Sequence, residues 1–473
     1  MPRSSLRNAA RHRVQIAAWF LVAGGSVPAF AQVPVAADPL VEGQAETNRV
    51  AGAHWGRPSA ARIPPIAIIE AGIDHRHPEM QGGWVTVRRV TPTPDLADSD
   101  SVDRFLAGIA HGTAVASVIG APHNGVGIEG VLPGARVWVY GGSGTCSDTA
   151  RAVVQAVNDG AKVINASYGF SNGGQCLEHR IATSYAFGAG ALVVAAAGNG
   201  RPSQPWIQPG NDWHVLTVGA VNRFNQPTSF TFQKTYTDLV APGEGILTAV
   251  PTWADNGDEA VDGYSRLDGT SFSAPIVSAV AAATLARRPN LAPDQLAEVL
   301  RRSALDVHRD GWDRATGWGL IDPVAAQAEG APSAESSEPN EDIPWVTGAL
   351  GFRPDAPLLR WSRAMGLRAR LDLTKDPRDV YPVWVPARTR LTVTLRPRLM
   401  GMDLFVWHPD AKIIGDGSPL ARSRRSGLVV ERVMVTNHGS RGRRVFVEVR
   451  ALRSRSLSGD YRLGLRHRST PRL

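Results

Sequence analysis

The sequence predicts an α/β domain, a mainly parallel sheet with helices on both faces, followed by a smaller antiparallel β-sandwich. Between residues 61 and 326, short runs that are apolar throughout alternate with amphipathic helical stretches, the pattern of doubly buried strands and their crossover helices. Past a Pro/Ser/Glu-rich stretch at 331–340 (APSAESSEPN), the pattern changes to short alternating segments between turn residues. Charge changes at the same place. From Glu341 onward 26 basic residues face 12 acidic ones, against 25 and 31 before it. Two halves of opposite charge and different texture read as two modules.

The first module places strands at 66–69, 136–140 (RVWVY), 162–165 (KVIN), 191–195 (ALVVA) and 214–218 (HVLTV), with helices at 113–119, 148–158 and 181–187. Ligand chemistry in such sheets gathers at the carboxyl ends of strands, and Glu70 stands at one. The second module places strands at 368–373, 380–385, 390–395, 402–407, 429–435, 445–449 and 461–465. That spacing predicts a sandwich of roughly 120 residues. There is no internal repeat. The expected boundaries are 1–31 for a signal peptide, 32–60 for an N-terminal extension, 61–328 for the α/β domain, 329–344 for a linker and 345–473 for the sandwich.

With 43% hydrophobic and 20% charged residues over 473 positions, the composition excludes a disordered chain. Arg3, Arg7, Arg11 and Arg13 precede a short apolar run at 14–27, and Ala29-Phe30-Ala31 fits a cleavage site. A membrane anchor is the alternative. The run falls short of the roughly 20 residues that span a bilayer, and no other segment reads as long and apolar enough. The expected location is periplasmic or extracellular. Cys146 and Cys176 in an exported chain read as a disulfide rather than a metal site or nucleophile.

Four stretches carry chemistry. PIAIIEAGIDHRHPEM (65–80) ends a strand on Glu70, and HGTAVASVIGA opens an apolar helix at His111. VVAAAGNG ends a strand on Gly198-Asn199, and DGTSFSAPIVSAVAAA sets Ser271 at the mouth of a small-residue helix. Alone they read as a helix cap, a turn or an N-cap. In this order, with HNGVGIEGVLPGARVWV, VINASYGF, DLVAPGEGILTAVP and TGWGLIDPVAA around them, they resemble the subtilisin-like serine protease family. The resemblance covers nearly all of 66–326 and implies the subtilisin-like form of the parallel sheet.

It also implies roles. Ser271 is the nucleophile and needs a base, His111, within hydrogen-bonding reach. Asn199 and the helix N-terminus face the oxyanion, and losing such a donor costs about 10²–10³ in turnover, as in subtilisin. An acid must hold the His111 tautomer. The family word for it is D-[ST]-G, and here Glu70-Ala71-Gly72 stands instead. Glutamate reaches one methylene further, and Ala71 lacks the family hydroxyl. Ser-His-Glu triads work in other folds, so the expectation is an active triad, with a decayed pseudoprotease as rival. Asp74 is the other acid nearby, in a position the family often fills with Asp or Asn.

Gly142, Ser143 and Gly144, facing Ser167, Tyr168 and Gly169, are the implied edges that bind an extended peptide. The Cys146–Cys176 disulfide would then join the far ends of these walls. His75-x-His77 beside Asp74 has the look of a metal site, but a surface turn closed by Pro78 accounts for it. No cofactor is expected. Structural calcium is common in the family, yet no acidic loop assigns it. The stretch 32–63 is short for a folding-assisting propeptide. The second module resembles pre-peptidase C-terminal domains through MDLFVWHP and SGDYRLGLRHR, among others. Its arginines read as the polar residues of solvated strands, lysine being scarce, with contact to an anionic surface as the alternative. Expected partners are a protein or peptide substrate and no nucleic acid, for a monomer. A third class, a surface-binding protein led by the basic tail, would bind in a salt-sensitive way without Ser271.

Overall fold

The computed structural model describes residues 38–45, 55–89, 98–142, 144–170, 176–200, 207–255, 260–332, 338–350, 353–452 and 458–470. The chain divides into two compact units, Met1–Val35 and Ala36–Leu473. The first unit, with the export signal read in it, lies outside the described residues, and so does Ser143.

Seven parallel strands form the main sheet: β1 Ile66–Glu70, β2 Val85–Arg89, β3 Val137–Gly141, β4 Val163–Ala166, β5 Leu192–Ala196, β6 Val215–Val221 and β7 Leu239–Pro242. Their order is β2-β3-β1-β4-β5-β6-β7. Except for the edge strand β2 and the half-buried Trp138 of β3, they are buried along their length, which is why they read as apolar runs. A hairpin, β8 Ile246–Ala249 and β9 Tyr264–Leu267, lies apart from the sheet. The helices are α1 Val41–Ala45, α2 Ser99–Gly120, α3 Cys146–Asn158, α4 Leu177–Gly188, α5 Thr270–Arg287, α6 Pro293–Arg302, α7 Pro323–Ala328 and α8 Ile343–Thr347. Helix α5 is buried almost throughout because Ala, Val and Ser let it lie close against the sheet. Helices α3 and α4 cover the opposite face with a second apolar cluster.

Helix α2 departs from expectation. It starts at Asp98, whose side chain accepts the Asp100 N–H, so His111 sits in mid-helix rather than at the start. By length and composition this helix is also apolar enough to cross a membrane, contrary to the sequence reading. Its second half is instead buried against the sheet.

The second module folds as two antiparallel four-stranded sheets, β10-β17-β12-β15 and β11-β16-β13-β14. The strands are β10 Ala364–Asp372, β11 Arg378–Val385, β12 Thr389–Pro397, β13 Met402–Trp407, β14 Ala421–Ser423, β15 Glu431–Asn437, β16 Arg443–Ala451 and β17 Ser458–Ser469. Alternate residues of both sheets close one apolar core. Polar contacts join it to the α/β part. Lys375, between β10 and β11, is buried and donates to Gly210 O and Thr217 Oγ1, both at 2.7 Å. Arg370 pairs with Glu298 at 2.6 Å.

Candidate active site

Strand β1 carries Glu70 to its carboxyl end, and α2 crosses that end with His111 facing it. His111 Nδ1 donates to Glu70 Oε2 at 2.8 Å. The crossing is close because α2 has glycine where it touches the strand end. A Cβ on Gly112 would overlap the Gly72 carbonyl oxygen and lie 3.0 Å from Glu70 Cβ, and one on Gly108 would lie 2.6 Å from Ala71 Cβ. Ala71 therefore lies directly beneath the helix, and the small residue in place of a hydroxyl-bearing one fits that contact. Glu70 is buried, and its second oxygen, Oε1, has no hydrogen-bond partner among the described residues. Burial works against a charged His111, but the Glu70 charge and hydrogen bond outweigh it and raise the imidazole pKa above its ordinary 6.5.

Ser271 is the second residue of α5. Its hydroxyl donates to Ser167 O at 3.0 Å, while Ser167 Oγ donates to Ser271 O at 2.7 Å. No hydrogen bond joins Ser271 Oγ to His111. The expected base–nucleophile bond is therefore not formed here, because the Ser167 carbonyl takes the hydroxyl proton instead. The His111 ring lies 5.9 Å, centroid to centroid, from Phe272, next to Ser271. Asn199 is fixed by α5: its Oδ1 accepts both the N–H and the hydroxyl of Thr270 at 2.9 Å. That commits Oδ1 and leaves the Nδ2 amide as the donor, beside Gly269 at the helix mouth.

The two cleft segments meet. Gly142, Gly144, Tyr168 and Gly169 line one cavity of about 330 Å³ with Glu70 and Ala71. Not every glycine there serves an open approach: a Cβ on Gly169 would overlap Ile207, whereas Gly144, at φ +77°, faces open space. Cys146 and Cys176 form a disulfide with 6.1 Å between Cα atoms. It ties the first residue of α3 to the N-cap of α4.

The sequence reading missed two features, the first of them signalled by Val102, Phe105, Leu106 and Ile109 at helical spacing. Ser101, Arg104 and Phe105, from the unpredicted first half of α2, form one wall of the cavity. Behind the other wall, the Tyr168 hydroxyl meets His179 Nε2 at 2.7 Å, and His179 Nδ1 meets the buried Asp212 at 3.3 Å. These residues lie 11 and 33 positions apart and share no motif. The histidine turn behaves as a turn. His77 Nδ1 accepts from Glu79 N and its Nε2 donates to Gly263 O, which leaves neither nitrogen for a metal. Asp74 Oδ1 accepts the Arg76 N–H within the same turn.

Besides the disulfide pair with Glu178, three sets of described side chains bring ligand atoms within 4.8 Å of one another. Asp38, His123 and Glu129 form one, although Asp38 Oδ1 already clamps three backbone N–H groups at 124–126. The sets His214, Glu338, Glu341 and Glu338, Asp376, Asp379 share Glu338, where the sandwich meets the α/β part. Asp379 Oδ2 accepts the hydroxyls of Tyr381 and Tyr461. Its Oδ1, like Glu341 Oε2, is buried without a partner among the described residues.

A parallel sheet in this order, with an acid, a histidine, an asparagine and a helix-mouth serine at one edge, defines a subtilisin-type serine protease scaffold. Residues 64–319, more than half of the chain, match the Subtilase family, and the chain belongs to that family. It is similar to fervidolysin of Fervidobacterium pennivorans, 31% identical over 321 residues that make 63% of this chain and 45% of that one. Thermitase of Thermoactinomyces vulgaris is 33% identical over 226 residues, 46% of this chain and 72% of that one. The minor extracellular protease Epr of Bacillus subtilis is 30% identical over 329 residues, 67% and 47%. The chain thus spans about half the length of fervidolysin and Epr. The crystal structure of fervidolysin, a keratinolytic enzyme related to subtilisin, matches with a TM-score of 0.52 over 84% of this chain and 70% of that one. At 20% identity that likeness shows the fold alone.

Proposed function

We propose that this chain is an exported serine endopeptidase acting on protein or peptide substrates through Ser271, His111 and Glu70, with glutamate in the aspartate's role. The 2.8 Å contact between Glu70 Oε2 and His111 Nδ1 carries the reading, because it is the hydrogen bond that the departure from D-[ST]-G put at risk. A peptide enters extended between 142–144 and 167–169. The Ser271 hydroxyl turns from Ser167 O to His111, which takes its proton as Oγ attacks the scissile carbonyl. The oxyanion meets Asn199 Nδ2 and the first N–H groups of α5. His111 returns the proton to the leaving amine, and water repeats the cycle on the acyl-enzyme. Export follows from the N-terminal pattern and agrees with the extracellular relative. Structural calcium, where the family resemblance leads one to look for it, would find hard oxygen ligands at Glu338, Asp376 and Asp379.

The bond from Ser271 to Ser167 O favours one rival, a peptide-binding pseudoprotease. A fluorophosphonate probe separates the two, since only an activated serine is labelled. Labelling of the full chain that disappears in Ser271→Ala and His111→Ala is expected. An unlabelled wild-type chain would leave the pseudoprotease.

A further inference from the structure

The outer face of the sheet β10-β17-β12-β15 carries two features that weaken the sheet. Seven exposed arginines, Arg368, Arg390, Arg396, Arg432, Arg462, Arg466 and Arg468, stand on this one face. Register sets Arg368 and Arg396 directly opposite Arg462, from either side, and Arg390 opposite Arg468. Like charges directly opposed across strands are destabilising. None of the seven is in an ion pair among the described residues, and the exposed acid on this face, Asp460, lies at its end. Solvated strands short of lysine would carry arginine, but they would not need to stack it in rows.

Beside the row Arg368–Arg462–Arg396 runs a row without side-chain bulk: Gly366 pairs with Gly464, and Gly464 with Thr394. Neither glycine is demanded by the fold. A Cβ on either would meet nothing nearer than a carbonyl oxygen at 3.7 Å, an ordinary contact, and neither has positive φ. Glycine in a strand interior weakens it and often marks close approach by a ligand. Here the two glycines open a trough of about 450 Å³, lined by Arg368, Arg396 and Arg462 and floored by Thr394. Arg466 flanks its other side, opposite Thr392, and Arg432 closes the end at β15, opposite Thr394.

We propose that this trough binds a linear anionic polysaccharide, whose sulfate or carboxylate groups pair with the arginine row while its backbone lies on the glycine floor. Guanidinium forks match both groups in bidentate fashion. The trough is concave and crosses three strands, which suits a narrow chain rather than the flat surface of a membrane. It is lined by no aromatic side chain, so it lacks the stacking platform that single-stranded nucleic acid uses. Such a surface would hold the chain on an acidic polymer.

The test uses the full chain with Ser271→Ala, to prevent self-digestion, and measures binding of a heparin oligosaccharide by calorimetry at fixed salt. Gly464→Val fills the trough without changing charge and strengthens β propensity, so it is expected to fold, with melting as the check. It should weaken heparin binding about tenfold or more, as should Arg368→Gln/Arg396→Gln/Arg462→Gln. Neutralising Arg76, Arg309 and Arg314, exposed elsewhere, should leave binding unchanged. Unchanged binding in Gly464→Val would overturn the proposal. So would equal loss in the control triple, which would reduce the effect to net charge. Tighter, trough-dependent binding of a single-stranded DNA oligomer or of phosphatidylserine vesicles would overturn it in favour of that occupant.

Discussion

At Glu70 the question is reach. The carboxylate meets His111 at 2.8 Å from a strand end whose backbone is itself held, through Gly142 N–H to Glu70 O at 3.1 Å. Glu70→Asp draws the oxygens back by about one C–C bond, ~1.5 Å. Displacement on this scale costs about 10² in rate, so kcat should fall by that order in assays on a peptide substrate. Glu70→Gln keeps the length but presents the wrong partner to Nδ1. A loss of about 10³–10⁴ in kcat is expected, and an unchanged rate would exclude Glu70 as the acid. The pH profile tests the same pair by another route. Catalysis needs neutral His111, and the Glu70 charge favours the imidazolium, so kcat/KM should rise with pH around a midpoint above 6.5. In Glu70→Gln that charge is gone and burial alone acts, which should move the midpoint of the residual activity downward.

At the scale of elements, helix α2 decides the site, and it was the part least legible in sequence. The apolar stretch 113–119 is visible as a helix because it faces the core. The preceding turns, 99–110, are exposed or half-exposed, and their helical signal is only the short series Val102, Phe105, Leu106 and Ile109, at i, i+3, i+4 and i+7, which an expected helix start near His111 passes over. The buried strands were readable for the opposite reason, since burial on both faces makes them uniformly apolar. Strand β2 (VTVRR), half-exposed at the sheet edge, and β7 (LVAP), ending in proline, lacked that signature. The candidate residues stood in the family words, but the proximity of Gly108 and Gly112 to Ala71 and Gly72 needs the tertiary crossing. Gly112→Ala tests it. Alanine favours a helix by about 1 kcal/mol, yet here its Cβ overlaps the Gly72 carbonyl. A net destabilisation of about 1–3 kcal/mol is expected, measured as a lower denaturant midpoint. Activity should fall with it, because α2 must lift His111 off Glu70 to make room.

Across the whole molecule, buried charge marks the place where the two modules meet. Lys375 from the sandwich reaches Gly210 O and Thr217 Oγ1 and lies 3.5 Å from Asp238, while burial lowers its pKa. A few residues away, Glu338, Glu341, Asp376 and Asp379 crowd together with His214 as the nearby base. Burial first of all raises the Asp379 pKa above the usual carboxylate range, and the Glu341 charge acts in the same direction. Beside the pairing of His214 with Glu341, a proton on Asp379 or a cation joining the carboxyls would relieve this crowding, and only the second state responds to calcium. If a cation joins them, calcium at about 100 times its Kd stabilises the fold by about 2.7 kcal/mol, and the melting temperature of the Ser271→Ala chain rises relative to a chelator. Asp379→Asn should abolish that increment. It should also raise the melting temperature in chelator, because one buried like charge is gone. Equal melting of the parent chain in calcium and in chelator would leave the junction to the Asp379 proton alone. In that state its stability should fall as pH rises through the raised Asp379 pKa, since the folded chain then has to ionise a carboxyl that burial holds neutral.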